Sequence, residues 1–472
     1  MSLPHLIGAK QFEQSFFARL TDILESQAPT AKQNGFAVAY SGGLDSTVLL
    51  KLAQRFAEQK NIPLFAYHIH HGLSPNADAW LQHCQSICGD AGIRFRFIKV
   101  QVNQQGQGVE SAARSSRYAA LGELCATDQI PVLLTAHHLD DQAETMLMQL
   151  LRGTGLRGLA GMDYFNYAPS LLKNTELLLA RPLLSEAKQT LLHYAQLHGL
   201  VNIEDESNGL TCYTRNALRL LVMPEIEKIA PEFSERLLRT SEHVRSANRI
   251  LDEVAAQDLA LSLDGVDLKV LVLKSLSADR LSNVFRYWLQ RQGIQLPSSA
   301  KLREMQNQLF DARADARVTV AHLHYVLYRY DDKITLIDTS HISHYVGSIW
   351  IQWAGEERLY LPELKGSFLF RRVSGVDGID PKILLENKLE VRQRKGGERL
   401  RLGKLRPSRD MKSHFQSLRI PFWRREKLPY VYIENELLHV GLVGTDAAFL
   451  SGADGANKIE LVWIPDQASI QI

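Results

Sequence analysis

The chain has 472 residues, 45% hydrophobic and 22% charged, with a formal net charge of only +2. That is the composition of a globular protein of roughly two to four domains, so any strongly basic surface has to be local. Cys84, Cys88, Cys125 and Cys212 are too few and too scattered for a disulfide framework, and the helically spaced pair Cys84 and Cys88 is expected to be buried. No basic-then-apolar leader opens the sequence and no apolar run reaches membrane-spanning length, which predicts a cytoplasmic protein without a membrane partner.

Phe12, Phe16, Phe17, Leu20, Ile23 and Leu24 recur at helical spacing and predict a docking helix over 9–26. Residues 36–39 read as a short buried strand, and Ser41-Gly42-Gly43 turns the chain into a helix that continues through Leu52. Asp45 and Ser46 are suitable caps for that helix. A glycine turn between a strand and a helix N-terminus gathers N–H donors and the positive end of the dipole, which makes it an anion site. A lone Gly-Gly turn is usually an ordinary connection, but the whole Ser-Gly-Gly-Leu-Asp-Ser block, Ser41 to Ser46, favours phosphate. It is not a Walker loop, because no lysine follows Gly43.

An apolar run at 64–69, a helix near 76–91, a strand near 94–100, a helix near 110–127 and a further run at 132–134 follow. Alternating strands and helices predict a doubly wound parallel sheet, with ligands beyond the carboxyl ends of its strands. Three kinds of residue gather in those turns. His68, His70 and His71 end one strand, without a cysteine or carboxylate at zinc-ligand spacing. Arg114 and Arg117, three apart at the start of a helix, gain nothing from its dipole and could hold phosphates, or be a solvated pair. His138 leaves the next strand, Asp140 or Asp141 caps the helix after it, and Asp141 and Glu144 share one face. Two carboxylates beside a phosphate site are costly without a cation between them, either Mg²⁺ or an ammonium-bearing substrate.

Helical spacing runs from Arg215 to about Leu263, broken by Pro224 and Pro231, with further helices at 278–292 and 299–310 and strand-like runs at 317–329 and 333–337. Residues 391–427 hold 13 Lys and Arg against three acidic residues, a net +10 on a chain whose total is +2. With Phe415, Phe422 and Trp423 interleaved, this asymmetry points to RNA rather than to a solvated face.

The Ser41–Ser46 block resembles the PP-loop of the ATP pyrophosphatase family. That resemblance implies cleavage of ATP between the α- and β-phosphates, with AMP transferred and pyrophosphate released. Together with Glu110–Tyr118, His137–Glu144, the glycine-rich 152–162, Ile203–Asn208 with Tyr213, Arg215, Asn216 and Arg219, and the basic C-terminal blocks, the chain resembles the tRNA(Ile)-lysidine synthase family. The resemblance implies an α/β, doubly wound PP-loop domain (1–220), a mostly helical tRNA-contacting domain (221–345) and a small basic α+β tRNA-binding domain (346–472). It further implies ligation of L-lysine to C2 of the wobble cytidine in an isoleucine tRNA with a CAU anticodon. On this resemblance Ser41, Gly42, Gly43, Leu44, Asp45 and Ser46 bind ATP, Asp45 through Mg²⁺. Asp141 and Glu144 take lysine, Arg114, Arg117 and His138 act in catalysis with Asp45, and Arg215, Arg219, Arg392, Arg394, Lys395 and Arg399 contact tRNA. A homodimer is left open. The rival readings are a PP-loop tRNA thiolase, which needs catalytic cysteines, and a non-catalytic RNA-binding protein with a vestigial nucleotide site.

Overall fold

Residues 3–72, 74–100, 109–204, 206–209, 211–313, 316–340, 347–374, 376–452 and 457–466 are described by the computed structural model. The boundary expected at 345/346 lies outside them. The chain divides into two compact units, Met1–Ile250 and Leu251–Ile472. Among the described residues no helix is long and apolar enough to cross a membrane.

The first unit is built on strands whose side chains are apolar on both faces. In β1 (Phe36–Ala39), Phe36 and Val38 enter one core cluster and Ala37 the other. β2 (Leu64–His70), β3 (Arg94–Lys99), β4 (Val132–Leu134), β5 (Phe165–Tyr167) and β6 (Leu178–Ala180) complete a sheet of order β3-β2-β1-β4-β6-β5. All of its pairings are parallel except β5 with β6. Covering helices are α1 (Leu3–Gln27), α2 (Leu44–Lys60), α3 (Ala77–Asp90), α4 (Val109–Thr127), α5 (Leu139–Leu151) and α6 (Lys188–Leu197). Strand order reverses at β1, whose neighbours are β2 and β4, so the turns after β1 and β4 open onto one crevice. The edge strand β3 is blunted by charge, with Arg96 paired to Asp128.

After α6 the chain folds back over the turn that follows β1. The Ile203 N–H donates to Gly42 O at 2.9 Å, and Ile203 forms a parallel bridge with Gly43. Then come α7 (Thr214–Ala217), a π-turn at Leu218–Val222, α8 (Met223–Ile229) and α9 (Phe233–Ser262). Pro224 sits in the first turn of α8, where its missing N–H costs nothing, so it starts a helix rather than breaking one.

In the second unit, β7 (Leu263–Asp264), β8 (Asp267–Lys269), β9 (Val318–His322), β10 (Tyr325–Tyr330) and β11 (Lys333–Asp338) form an antiparallel sheet. Its core is shared with α10 (Ala278–Arg291) and α11 (Ser299–Phe310) around the fully buried Trp288. The run 317–329 is therefore a hairpin rather than one strand. Leu323 takes a positive φ of 54° at its turn, which apolar patterning does not reveal.

Two further five-stranded antiparallel sheets follow, β12 (Ser348–Ile351), β16 (Leu389–Arg392), β19 (Tyr430–Ile433), β20 (Glu436–Val440) and β21 (Gly444–Thr445), and β13 (Arg358–Leu361), β14 (Gly366–Val373), β15 (Gly378–Ile379), β22 (Leu450–Ser451) and β23 (Lys458–Pro465). One apolar cluster draws on both, including Phe368, Phe370, Val391 and Trp463. A short hairpin, β17 (Arg399–Leu400) with β18 (Arg409–Asp410), leads into α12 (Met411–Ser417).

Gly42 is tightly enclosed in the turn after β1. Its φ is +85°, and a Cβ there would lie 2.7 Å from Ile203 Cδ1 and 2.9 Å from Cys84 Sγ. Gly42→Ala is expected to cost about 2–4 kcal/mol of stability and to abolish ATP binding. Thermal melting and an ATP titration check both, and wild-type ATP affinity in that variant would contradict the assignment of the loop.

Candidate active site

The turn after β1 is held by its own hydroxyls. The Ser41 N–H donates to Ser46 Oγ at 3.3 Å, and Ser46 Oγ and Thr47 Oγ1 donate to Gly43 O at 3.0 and 2.9 Å. Gly43, not Asp45 or Ser46, is the N-cap of α2, so Asp45 lies in the first helical turn. Asp45 Oδ1 is buried and has no hydrogen-bond partner among the described residues.

The turn after β4 supplies the opposing wall. His138, rather than an aspartate, is the N-cap of α5, and its N–H donates to Asp141 Oδ2 at 3.1 Å. The imidazole, 1% exposed, lies among three carboxylates, 3.6 Å from Asp45, 3.6 Å from Asp140 and 3.5 Å from Asp141. Burial works against the imidazolium, but Asp140, Asp45 and Asp141 outweigh it and push its pKa up to about 10. His138 is thus an internal cation joining the two turns. The adjacent His137 behaves oppositely. Burial, with Arg181, Arg114 and Arg215 nearby, outweighs the attraction of Asp141 and pushes its pKa down to about 3, so it stays neutral. Its Nδ1 lies 3.0 Å from Thr135 Oγ1.

Asp141 and the fully buried Glu144 are ion-paired to residues from well down the chain. Arg215 donates through Nε to Glu144 Oε2 at 2.7 Å and through Nη2 to Asp141 Oδ1 at 2.9 Å. Arg219 donates through Nε to Glu144 Oε1 at 2.5 Å, and through Nη2 to Glu144 Oε2 at 3.0 Å and Asp141 Oδ1 at 3.2 Å. Burial raises the pKa of Asp141, but the His138 charge and N–H and the Arg215 guanidinium reverse this and hold it at about 2. The cation that the acidic pair demands is, in this structure, supplied by the chain.

Arg114 and Arg117 lie over the ring of the buried Tyr118, at 4.9 and 5.4 Å from its centroid. Burial, Arg114 and Arg215 all weaken the protonation of Arg117, which is the signature of guanidiniums gathered where an anion would sit. Gln142 clamps the glycine-rich loop, its Oε1 accepting from Met162 N at 2.7 Å and its Nε2 donating to Met162 O at 3.2 Å.

Residues 12–226 match the PP-loop domain family, 268–335 the TilS substrate binding domain and 389–463 the TilS substrate C-terminal domain. The chain is 38% identical over 466 residues to the tRNA(Ile)-lysidine synthase of Burkholderia pseudomallei (strain K96243), covering 91% of this chain and 93% of that one. It is 37% identical over 417 residues to the tRNA(Ile)-lysidine synthase of Alkalilimnicola ehrlichii (strain ATCC BAA-1101 / DSM 17681 / MLHE-1), covering 88% and 91%. The chain belongs to the tRNA(Ile)-lysidine synthase family.

The basic stretch of this family member divides into structural and outward-facing cations. Arg392 is 3.8 Å from the Tyr432 ring centroid and donates to Glu390 Oε2 at 3.0 Å. Arg425 is buried, donating to Ile420 O at 2.8 Å and Tyr330 Oη at 3.1 Å. Phe415 is in the core and Trp423 stacks on Tyr328 at 4.6 Å. Lys395 and Arg399 are exposed. The turn that carries Lys395 is fixed by Glu398, which accepts from the Lys395 and Gly396 N–H groups at 2.6 and 2.9 Å. Arg394 is exposed and 3.5 Å from Glu398.

The sequence gives no role to His137, Gln142 or Arg181, although the first two lie within the 137–144 block. A threonine two residues before His137, and a glutamine one residue after Asp141 on the same helix, were the available signals. Arg181, 6% exposed and bonded to Asp163 O and Asn166 Oδ1 at 2.8 Å, had none, because its partners are set by the antiparallel β5.

The raised pKa of His138 fixes a stability profile. Its contribution is complete below the ordinary value of 6.5 and is lost as pH rises through about 10. Thermal melting of the wild type against His138→Asn should show an advantage that shrinks across that window. A constant difference from pH 6.5 to pH 10 would mean that the imidazole is neutral.

Proposed function

We propose that the chain ligates L-lysine to C2 of the wobble cytidine of an isoleucine tRNA with a CAU anticodon. The observation that carries this reading is that the phosphate loop and the acidic pair meet in one crevice, joined by His138 between Asp45 and Asp141. In the first step the cytidine 2-oxygen attacks the α-phosphorus of ATP and pyrophosphate leaves. In the second, the ε-amine of lysine, having lost a proton, attacks C2, and AMP leaves with the 2-oxygen.

The backbone N–H groups of Ser41 to Ser46 and the N-terminus of α2 hold the phosphates. Asp45 Oδ1, buried without a partner, suits one carboxylate contact to Mg²⁺, which would neutralise phosphate charge when bound. Arg114 and Arg117 stabilise charge that builds on the α-phosphate and its leaving groups. His138, too buried to reach a substrate freely, positions Asp45 and Asp141 as a fixed cation. Asp141 and Glu144 receive the lysine side chain. Residues 1–220 are the catalytic part, 221–345 contact tRNA and 346–472 bind it through the basic stretch. A cytoplasmic location fits these substrates.

The thiolase reading loses support from Cys84 and Cys88. Burial pushes the Cys84 and Cys88 thiols up to about 12, which leaves them protonated and poorly nucleophilic.

Labelled lysine, ATP and an isoleucine tRNA transcript should give one lysine-bearing cytidine per AMP and pyrophosphate formed, identified after nuclease digestion. ADP as product, or a thiolated nucleoside, would overturn the proposal. The tRNA surface has its own test. Lys395→Ala with Arg399→Ala should flatten the dependence of log K on log salt by about 0.7–0.9 per lost phosphate contact. Arg392→Ala should instead lower stability, because Arg392 is packed on Tyr432. An unchanged slope in the double variant would make those two residues a solvated surface only.

A further inference from the structure

Asp141 and Glu144 cannot receive an ammonium as they stand. Glu144 is fully buried and its two oxygens already accept three hydrogen bonds, from Arg215 Nε and from Arg219 Nε and Nη2. Asp141 Oδ1 accepts from both arginines, and Oδ2 accepts from the His138 N–H. A carboxylate has about four acceptor positions, so little capacity remains, and none of it at Glu144 faces solvent. The carboxylate oxygens that the guanidiniums hold are closed to an ammonium, so lysine reaches them only where one guanidinium departs.

The two arginines are not equally placed to leave. Arg215 stands on α7, beside His137 and Arg117. Arg219 stands in the π-turn Leu218–Val222, an irregular stretch of helix where Leu218 is buried but Leu220, Leu221 and Val222 are 44%, 60% and 41% exposed. It also feels the carboxylate of Asp45, on the phosphate side of the crevice.

We infer that Arg219 is a resident counter-ion of the lysine site, exchanged one for one with the ammonium of the incoming lysine. Arg215 stays and keeps both carboxylates aligned. The displaced Arg219 guanidinium turns towards Asp45 and the nucleotide phosphates, so arrival of the nucleophile adds positive charge where AMP departs. This rests on the reading that Asp141 and Glu144 bind lysine. It makes Arg219 a positioning residue of the reaction rather than a contact to the tRNA backbone.

Steady-state kinetics with ATP and tRNA saturating test the exchange. Arg219→Gln removes the competing cation and should lower the KM for lysine by about tenfold, the value of one charge-assisted hydrogen bond, with kcat reduced. Arg219→Lys, which keeps a cation on the carboxylates, should hold KM at or above the wild-type value, and Arg215→Gln should raise it. An unchanged or higher KM in Arg219→Gln, with Glu144→Gln raising it, overturns the exchange and leaves the lysine site intact. A KM unmoved by Glu144→Gln places lysine elsewhere and removes the underlying reading as well. Should Arg219→Gln fail to fold, the wild type decides by NMR of the arginine Nε–H groups, assigned through Arg219→Lys. The Arg219 signal should be protected from solvent exchange without lysine and lose that protection at saturating lysine; protection in both states overturns the exchange.

Discussion

The arrangement of the first unit depends on a buried charge cluster at the carboxyl ends of β1 and β4. Carboxylates placed beside a phosphate-binding turn would repel the nucleotide and be expensive to desolvate. Here each has a cation. His138 lies among Asp45, Asp140 and Asp141, while Arg215 and Arg219 saturate Asp141 and Glu144. The cluster also explains why the chain after α6 returns to these turns, at Ile203 and again at Arg215 and Arg219. The Ile203 bridge to Gly43 and the two arginines tie that segment to both turns at once.

The same balance gives the site its chemical division. Neutral His137 and charged His138 are neighbours in sequence, with pKa values pushed to about 3 and about 10 by what surrounds them. On the His137 side, Arg114, Arg181 and Arg215 make the crevice receptive to anions. On the His138 side, acidic groups hold cations that the chain itself supplies. An enzyme that brings a polyphosphate to an amine needs both polarities within one crevice, and electrostatic preorganisation of this kind is a major source of rate enhancement.

How much of this was legible in the sequence follows from the range of each interaction. Local patterns carried far: β1 at 36–39, the glycine turn, α11 at 299–310 and the shared face of Asp141 and Glu144 follow from spacing alone. The acidic pair even announced its need for a cation. Its identity was hidden, because Arg215 and Arg219 lie more than seventy residues away and reach the site only through the return segment. Charge counting misled in a similar way at 391–427. It recorded Arg392 and Arg425 with the exposed Lys395, although tertiary packing puts the first on Tyr432 and buries the second beside Tyr330. Cap positions shifted too, from Asp45 to Gly43 and from Asp140 or Asp141 to His138, since tertiary contacts chose the first helical residue.

In the proposed sequence one crevice first adenylates the 2-oxygen of the wobble cytidine and then admits lysine to the carbon that bears it. A single-turnover experiment with ATP labelled at the α-phosphate tests it most directly. Without lysine, label should pass to the tRNA in an acid-precipitable, base-labile form as pyrophosphate is released. Adding lysine should discharge that label as AMP in step with formation of the lysine-bearing nucleoside. Label that never enters the tRNA, or AMP that appears on the enzyme or on lysine before any tRNA adduct, would contradict the account.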